Sequence, residues 1–335
     1  MTDGRAAGGG APLVGIEAIR AAAERLLGIA IRTPLVPFGP IEDGRFLKAE
    51  SLQPIGAFKL RGAYEAAAVL PEAVRERGLI TYSSGNHAQG VARAARLLGV
   101  PAVVVMPADA PRIKRERVEA DGAEVVVVGN GSDERQAVAE RIAAERRLAV
   151  IPPFDDDRVI AGQGTVGLEI AEDLPGVGLV LVPVGGGGLA SGVAAAIKAL
   201  RPACRVVGVE PELAADAQAS LRSGTIVRWS AEDVGRTIAD GTRTRSLGRR
   251  TFAHLRALLD DIVTVSEDEI VDGIRLAAGL SRLVVEPSGA LAIAALVHRA
   301  AELGPVPDGP TVAIVSGGNV DPEAYRRYLE GPPSG

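Results

Sequence analysis

The feature that most constrains this chain is an alternation. Short β-branched runs are followed, one after another, by longer amphipathic segments. The spacing predicts strands at Leu79–Tyr82, Ala102–Met106, Glu124–Val128, Leu148–Ile151, Leu179–Val184, Arg205–Val209, Ile262–Val265 and Thr311–Ser316. Helices are expected at Leu60–Leu70, Asn86–Leu98, Arg112–Asp121, Asp133–Arg146, Leu189–Leu200, Ala214–Ser223, Asp268–Leu280 and Gly289–Leu303. Alternating βα units imply parallel sheets with right-handed crossovers. Strands covered by helices on both faces read as unbroken apolar runs, as Val125–Val128 and Leu179–Val182 do. The 335 residues suffice for two domains or one large α/β unit, and aromatic content of 3% makes the core aliphatic.

Several function classes drop out on composition. Net charge is −5, with no basic patch interleaved with aromatics, so no nucleic acid is expected as a partner. Cys204 is the only cysteine, which excludes an internal disulfide and a cysteine-rich zinc site and suits a reducing cytoplasm. No apolar stretch approaches the roughly 20 residues of a spanning helix, so no membrane partner is expected. Residues 1–12, rich in Gly and Ala, read as a disordered tail rather than a signal peptide. Thr225–Arg250 is highly charged and weakly periodic, and is expected to be a long ordered loop.

Four motifs carry chemistry. In GAFKLRGA, Lys59 sits between Phe58 and Leu60 at the start of a helix. Apolar neighbours strip hydration from an amine, lower its pKa and make it a better nucleophile; a solvated helix lysine is the plainer alternative. In TYSSGNHAQG a strand runs through Ser83, Ser84 and Gly85 into a helix at Asn86 and His87. Such a junction turns backbone N–H groups toward an anion such as a carboxylate, although Ser and Asn are also ordinary N-caps. In VLVPVGGGGLASG, Gly185, Gly186, Gly187 and Gly188 separate an apolar strand from a helix beginning near Leu189. Four consecutive glycines cost chain entropy, and close backbone approach to a phosphate would offset it. In TVAIVSGGN, Ser316 ends a strand, where ligands of open α/β sheets gather.

In this order, and with AGQGTVGLEI and TIADG between them, these segments resemble the threonine/serine dehydratase and serine racemase group of pyridoxal-phosphate enzymes, the tryptophan-synthase-β-like fold type II. The resemblance spans about Arg32 to Asn319. It implies a two-domain α/β fold with parallel sheets flanked by helices, 1–82 and 153–335 forming the large cofactor-binding domain and 83–152 a small one inserted in it. It implies β-elimination of water and ammonia from a β-hydroxy amino acid such as L-threonine or L-serine. By the same resemblance Lys59 carries pyridoxal 5'-phosphate as a Schiff base and serves as catalytic base, and Gly185 to Gly188 cradle the phosphate. Asn86 meets the ring's phenolic oxygen and Ser316 its nitrogen, with Phe58 and Leu189 also lining the cofactor. Ser83, Ser84, Gly85 and His87 cradle the substrate carboxylate, Arg135 faces substrate, and Ser84 is the second catalytic group, needed for racemisation. Glu210, the Ala214 carbonyl and Asp216 match a divalent-cation site, for Mg²⁺ or Ca²⁺, seen in part of the group. A homodimer is expected on the same ground. The regulatory domain of biosynthetic threonine deaminases is not expected after SGGN.

The chain departs from the group's pattern at Ala57, where serine is usual, at Glu65 and at Pro152. Arg243 and Arg245 are candidates for reading a second carboxylate or for plain surface charges. That keeps 3-hydroxyaspartate and a serine- or aspartate-type racemase open on the same scaffold. From another class, Gly185, Gly187 and Ala190 satisfy G-x-G-x-x-A with Glu210 ending the next strand, a nicotinamide fingerprint that leaves the other motifs unused. An amino-acid sensor would not need Lys59.

Overall fold

The computed structural model describes residues 11–83, 85–108, 110, 112–129 and 132–331, with the side chains of Ile113 and Ser132 aside. In chain order the helices are α1 (Ile16–Arg25), α2 (Lys59–Ala68), α3 (Glu72–Arg75), α4 (Asn86–Leu98), α5 (Arg112–Ala120), α6 (Ser132–Arg146) and α7 (Asp157–Asp173). There follow α8 (Gly188–Leu200), α9 (Asp216–Ser223), α10 (Ala231–Gly235), α11 (Arg249–Leu258), α12 (Glu267–Leu276), α13 (Pro287–His298) and α14 (Pro322–Leu329). The strands are β1 (Leu35–Pro37), β2 (Arg45–Ala49), β3 (Leu79–Tyr82), β4 (Ala102–Pro107), β5 (Glu124–Val128), β6 (Ala149–Val150), β7 (Leu179–Pro183), β8 (Arg205–Pro211), β9 (Asp261–Val265) and β10 (Thr311–Val315).

Two sheets organise these elements. One runs β1-β2-β10-β7-β8-β9, parallel except for the antiparallel β1–β2 pair. The other runs β5-β4-β3-β6 and is parallel throughout. Helices pack on both, as the βα alternation requires. β7 and β10 are buried along nearly their whole length because α13 covers one face of the larger sheet and α8 the other. α13 is buried from Pro287 to Leu296, which is why its sequence is apolar all round rather than striped.

The structure corrects three details of the sequence expectation. β3 pairs with both β4 and β6, so the smaller sheet starts at Leu79, before the expected boundary at Ser83. β5 is the edge of that sheet and stays half-exposed, so the valine run 125–128 marks a β-branched edge rather than a strand covered on both faces. The loop 225–250 contains α10 and a 3₁₀ turn at Asp240–Thr242. β1, β2, α1, α3, α7, α11 and α14 had no counterpart in the expectation. Among the described residues no helix is long and apolar enough to cross a membrane.

The strand order sets the site. In the smaller sheet the chain reverses direction of winding between β3 and β6, and in the larger one beside β10. Ligands of open α/β sheets bind outside the carboxyl ends of strands at such points. The carboxyl ends of β3, β6, β7 and β10 carry, respectively, Ser83–His87, Pro152–Asp156, the glycine turn and Ser316–Asn319.

Candidate active site

Lys59 is the first residue of α2, preceded by turns and a single bridging residue, Ala57. Ala57 bridges to Gly317, and the Phe58 N–H donates to the Ser316 carbonyl at 3.1 Å. These two contacts tie the lysine to the end of β10. Its Nζ donates to the Pro153 carbonyl at 2.8 Å and lies 5.1 Å from the centre of the Phe58 ring. Burial lowers its pKa to about 8. The chain has four lysines, at 48, 59, 114 and 198. Lys48 pairs with Glu169, Lys114 with Asp240 and Lys198 with Asp260, each at 2.6–2.7 Å. Among the described residues Lys59 is the one lysine with no carboxylate partner.

The glycine turn lies next to that amine through Phe154. A Cβ at Gly186 would sit 2.2 Å from the Phe154 ring, and one at Gly188 3.1 Å from its Cα. Gly187 has φ +89° and caps α8. Its Cβ would meet Leu247, Thr251 and Leu255, and that of Gly185 the backbone of Thr242. Protein therefore presses on this turn closely enough to exclude side chains, and that packing is a reason for the glycines besides ligand approach. The amino end of α8, with Leu189 in its first turn, still offers unpaired N–H groups to an anion.

Asn86 opens α4. Its Nδ2 donates to Glu286 Oε1 at 2.6 Å, and its Oδ1 accepts from Asn319 Nδ2 at 2.9 Å. The buried Ser316 hydroxyl donates to the Ser288 carbonyl at 3.3 Å. The structure thus brings Lys59, Phe58, Asn86, the glycine turn and Ser316 to one place.

The carboxylate loop is described only in part, because Ser84 lies outside the described residues. The Ser83 hydroxyl accepts from the Gly85 N–H at 3.3 Å. A Cβ at Gly85 would meet nothing within 4 Å, so open space lies beside the amino end of α4. His87 is buried with Nε2 at 3.0 Å from the Ile151 carbonyl. Burial, and then Lys59, push its pKa down to about 3. It is neutral and brings no cation to a carboxylate. Arg135 is half-buried on α6. Arg243 donates to the Thr237 carbonyl and Arg245 to Asp133, so both of these guanidiniums are engaged by the protein.

Glu210 ends β8 and accepts from the Ala217 and Gln218 N–H groups at 3.0 and 2.7 Å, capping α9. Asp216 is fully buried beside it, and neither of its carboxylate oxygens has a partner among the described residues. Burial, and then Asp216, drive the Glu210 carboxyl well above its usual range, and burial raises Asp216 to about 7. The buried Ala214 lies just before α9. Two buried carboxyls without a neutralising cation suit a hard divalent ion. Among the described residues no cluster of three or more His, Cys, Asp or Glu side chains is placed to hold one, so a carbonyl and waters would have to complete the shell.

Residues that sequence reasoning missed frame the site. Glu286, the N-cap residue before Pro287 of α13, and Phe154 carried no signal in the sequence. Arg61, Lys48, Glu50 and Glu169 form a buried, electrically neutral cluster behind α2.

The comparisons with known proteins agree with this geometry. The family described as pyridoxal-phosphate dependent enzyme matches residues 26–317, and the chain belongs to it. It is 40% identical to a serine racemase of Schizosaccharomyces pombe over 93% of this chain and 96% of that protein. It is also 40% identical to an L-threo-3-hydroxyaspartate ammonia-lyase of Saccharomyces cerevisiae, over 94% and 96%. The crystal structure of a threonine deaminase of T.th. superposes with a TM-score of 0.84 at 47% identity, covering 92% of this chain and 99% of that one.

Proposed function

We propose that this chain is an ammonia-lyase for a β-hydroxy amino acid such as L-threonine or L-serine, releasing a 2-oxo acid and ammonia. The observation that carries the proposal is the Lys59 amine, without a carboxylate partner among the described residues and with its pKa lowered to about 8, beside the glycine turn, Asn86 and Ser316. When bound, pyridoxal phosphate supplies an electron sink for the electrons left at the substrate Cα. The protein's own groups do the rest. Lys59 would hold the cofactor and supply the base for the Cα proton, an amine whose pKa burial has already lowered. The N–H groups of Gly185 to Gly188, ahead of Leu189, hold the phosphate. Phe58, the Asn86 amide and the Ser316 hydroxyl would hold the ring, with Asn86 serving its phenolic oxygen and Ser316 its nitrogen. A serine there does not force the nitrogen to stay protonated as an aspartate would, which favours prompt loss of a β-hydroxyl. The amino end of α4, with Ser83, Ser84, Gly85 and His87, receives the substrate carboxylate through backbone N–H groups. Ser84 would be the second catalytic group, returning a proton in a slower racemisation.

We also propose a divalent cation, Mg²⁺ or Ca²⁺, on Glu210, Asp216 and the Ala214 carbonyl, a homodimeric assembly, and a cytoplasmic location. The smaller sheet and its helices form the inserted domain, from about Leu79 rather than Ser83. A second reading, 3-hydroxyaspartate as substrate, is supported by the relatives of that name.

The test is a screen of L-threonine, L-serine and both 3-hydroxyaspartate diastereomers for ammonia and 2-oxo acid. Turnover of threonine or serine is expected. Turnover of 3-hydroxyaspartate alone supports the second reading, and release from none of them refutes both.

A further inference from the structure

The polar groups around Asn86 form a directed chain that the reaction chemistry does not use. Arg117 Nη1 donates to Asn319 Oδ1 at 2.6 Å. Asn319 Nδ2 donates to Asn86 Oδ1 at 2.9 Å and to the Ile55 carbonyl at 2.7 Å. Asn86 Nδ2 donates to Glu286 Oε1 at 2.6 Å. A guanidinium can only donate, and the Glu286 carboxyl, ionised above about pH 7, can then only accept. The two ends therefore fix which way both intervening amides face, a choice an isolated asparagine leaves open.

The chain alternates between the two sheets. Arg117 on α5 and Asn86 on α4 belong to the four-stranded side; Asn319 after β10 and Glu286 before α13 belong to the six-stranded side. Each of its three links between side chains thus crosses from one side to the other. The seat for Glu286 is closely built: a Cβ at Gly317 would lie 2.2 Å from its Oε1. The groups that face this carboxyl are Asn86 from α4, the Asn319 backbone N–H, Asp240 from the turn after α10, and Lys114 from α5. Lys114 and Asp240 pair at 2.6 Å. Burial and then Asp240 raise the carboxyl to about 7, against Lys114 and the Asn86 bond, which lower it.

We propose that Glu286 is a positioning residue for Asn86, holding the amide with its nitrogen toward the phenolic oxygen of the cofactor ring, and that Arg117 locks the same orientation from the other end. An amide nitrogen carries two hydrogens; Glu286 takes one and leaves the second for the ring oxygen. Without that acceptor the amide can turn and present its own oxygen, which repels the ring's. Because Arg117 and Asn86 belong to the four-stranded side and Asn319 and Glu286 to the six-stranded side, the lock is complete only where the two sides meet. The inference rests on the cofactor reading above.

The test is a double-mutant cycle read by affinity for pyridoxal 5'-phosphate, measured by titrating apoprotein and following the visible band. At about pH 8.5, where the Glu286 carboxyl is ionised, Glu286→Met should weaken binding about tenfold in the natural background, as expected for loss of a charge-assisted hydrogen bond. In an Asn86→Ala background it should weaken binding by no more than about twofold, because the residue it acts through is gone. Arg117→Gln, at an exposed position, should show the same dependence on Asn86 and guards against a folding defect at the buried site. Effects that multiply fully across the cycle, or a Glu286→Met protein that binds like the natural one, would overturn the proposal. If the natural protein shows no visible band with the cofactor, the failure belongs to the cofactor reading instead.

Discussion

Replacing Arg61 by methionine should destabilise the fold severely, and the size follows from its surroundings. Arg61 is 1% exposed, and Glu50 and Lys48 are wholly buried. Its Nε and Nη2 donate to Glu50, both at 2.8 Å, and Nη1 and Nη2 to Glu169 at 2.6 and 2.9 Å. Two cations and two carboxylates close the cluster to neutrality. Methionine keeps the volume of the side chain's stem but leaves Glu50 charged in the interior, with Lys48 already held by Glu169 at 2.6 Å. Breaking a buried pair from one side costs about 3–5 kcal/mol. At about 2–3 °C per kcal/mol for a chain of this size, melting should fall by about 6–15 °C. The pH dependence sharpens the test. In the natural protein burial acts to raise the Glu50 pKa, but Arg61 and Lys48 outweigh it and hold the value low. A depressed carboxylate contributes stability above its unfolded pKa and loses it as pH falls through the folded one. In the variant the sign reverses, because the buried carboxyl then prefers its proton. The deficit should therefore be greatest near pH 7 and shrink toward pH 5. Urea unfolding at both pH values measures it, and Arg61→Met with Glu50→Gln should recover about 1–2 kcal/mol. A deficit below about 1 kcal/mol at pH 7, or one that does not shrink at pH 5, refutes the reasoning.

Three further outcomes are expected. Gly186→Val should place side-chain atoms against the Phe154 ring, where a Cβ already meets it at 2.2 Å, and lower cofactor affinity at least about tenfold by equilibrium titration. Removing divalent ions with a chelator should lower the melting temperature by several degrees, about 1–2 kcal/mol, with recovery in Mg²⁺ or Ca²⁺; an unchanged melting curve counts against a cation at Glu210 and Asp216. Ser84→Ala should abolish racemisation and reaction of the D-enantiomer, by chiral chromatography, and leave elimination from the L-substrate within about threefold.

What could be read in the sequence was what depends on local pattern. β-branched runs located eight of the strands, and the glycine turn and GAFKLRGA located the site, because each is contiguous. α7 escaped because AGQGTVGLEI carries three glycines that depress helix propensity. The structure shows why they are there: a Cβ at Gly162 would lie 2.6 Å from the Arg61 carbonyl and one at Gly167 2.7 Å from that of Val193. Close helix packing overrides propensity at those positions. Glu286 and Arg117 were invisible for a different reason. They are joined only through Asn319 and Asn86, across 169 residues of sequence, and nothing local announces such a chain. The motif around Lys59 showed an apolar setting, but its lack of an ion-pair partner emerged only once the other three lysines had been placed.

The central claim is that Lys59 is the amine that carries the cofactor. Reducing the holoprotein with borohydride, digesting it and weighing the peptides tests this directly, since the chain offers only Lys48, Lys59, Lys114 and Lys198. The account predicts the cofactor adduct on the Lys59 peptide, and for Lys59→Ala neither the lysine-linked visible band nor 2-oxo acid from L-threonine or L-serine. An adduct on Lys48, Lys114 or Lys198, or normal turnover by Lys59→Ala, would contradict it.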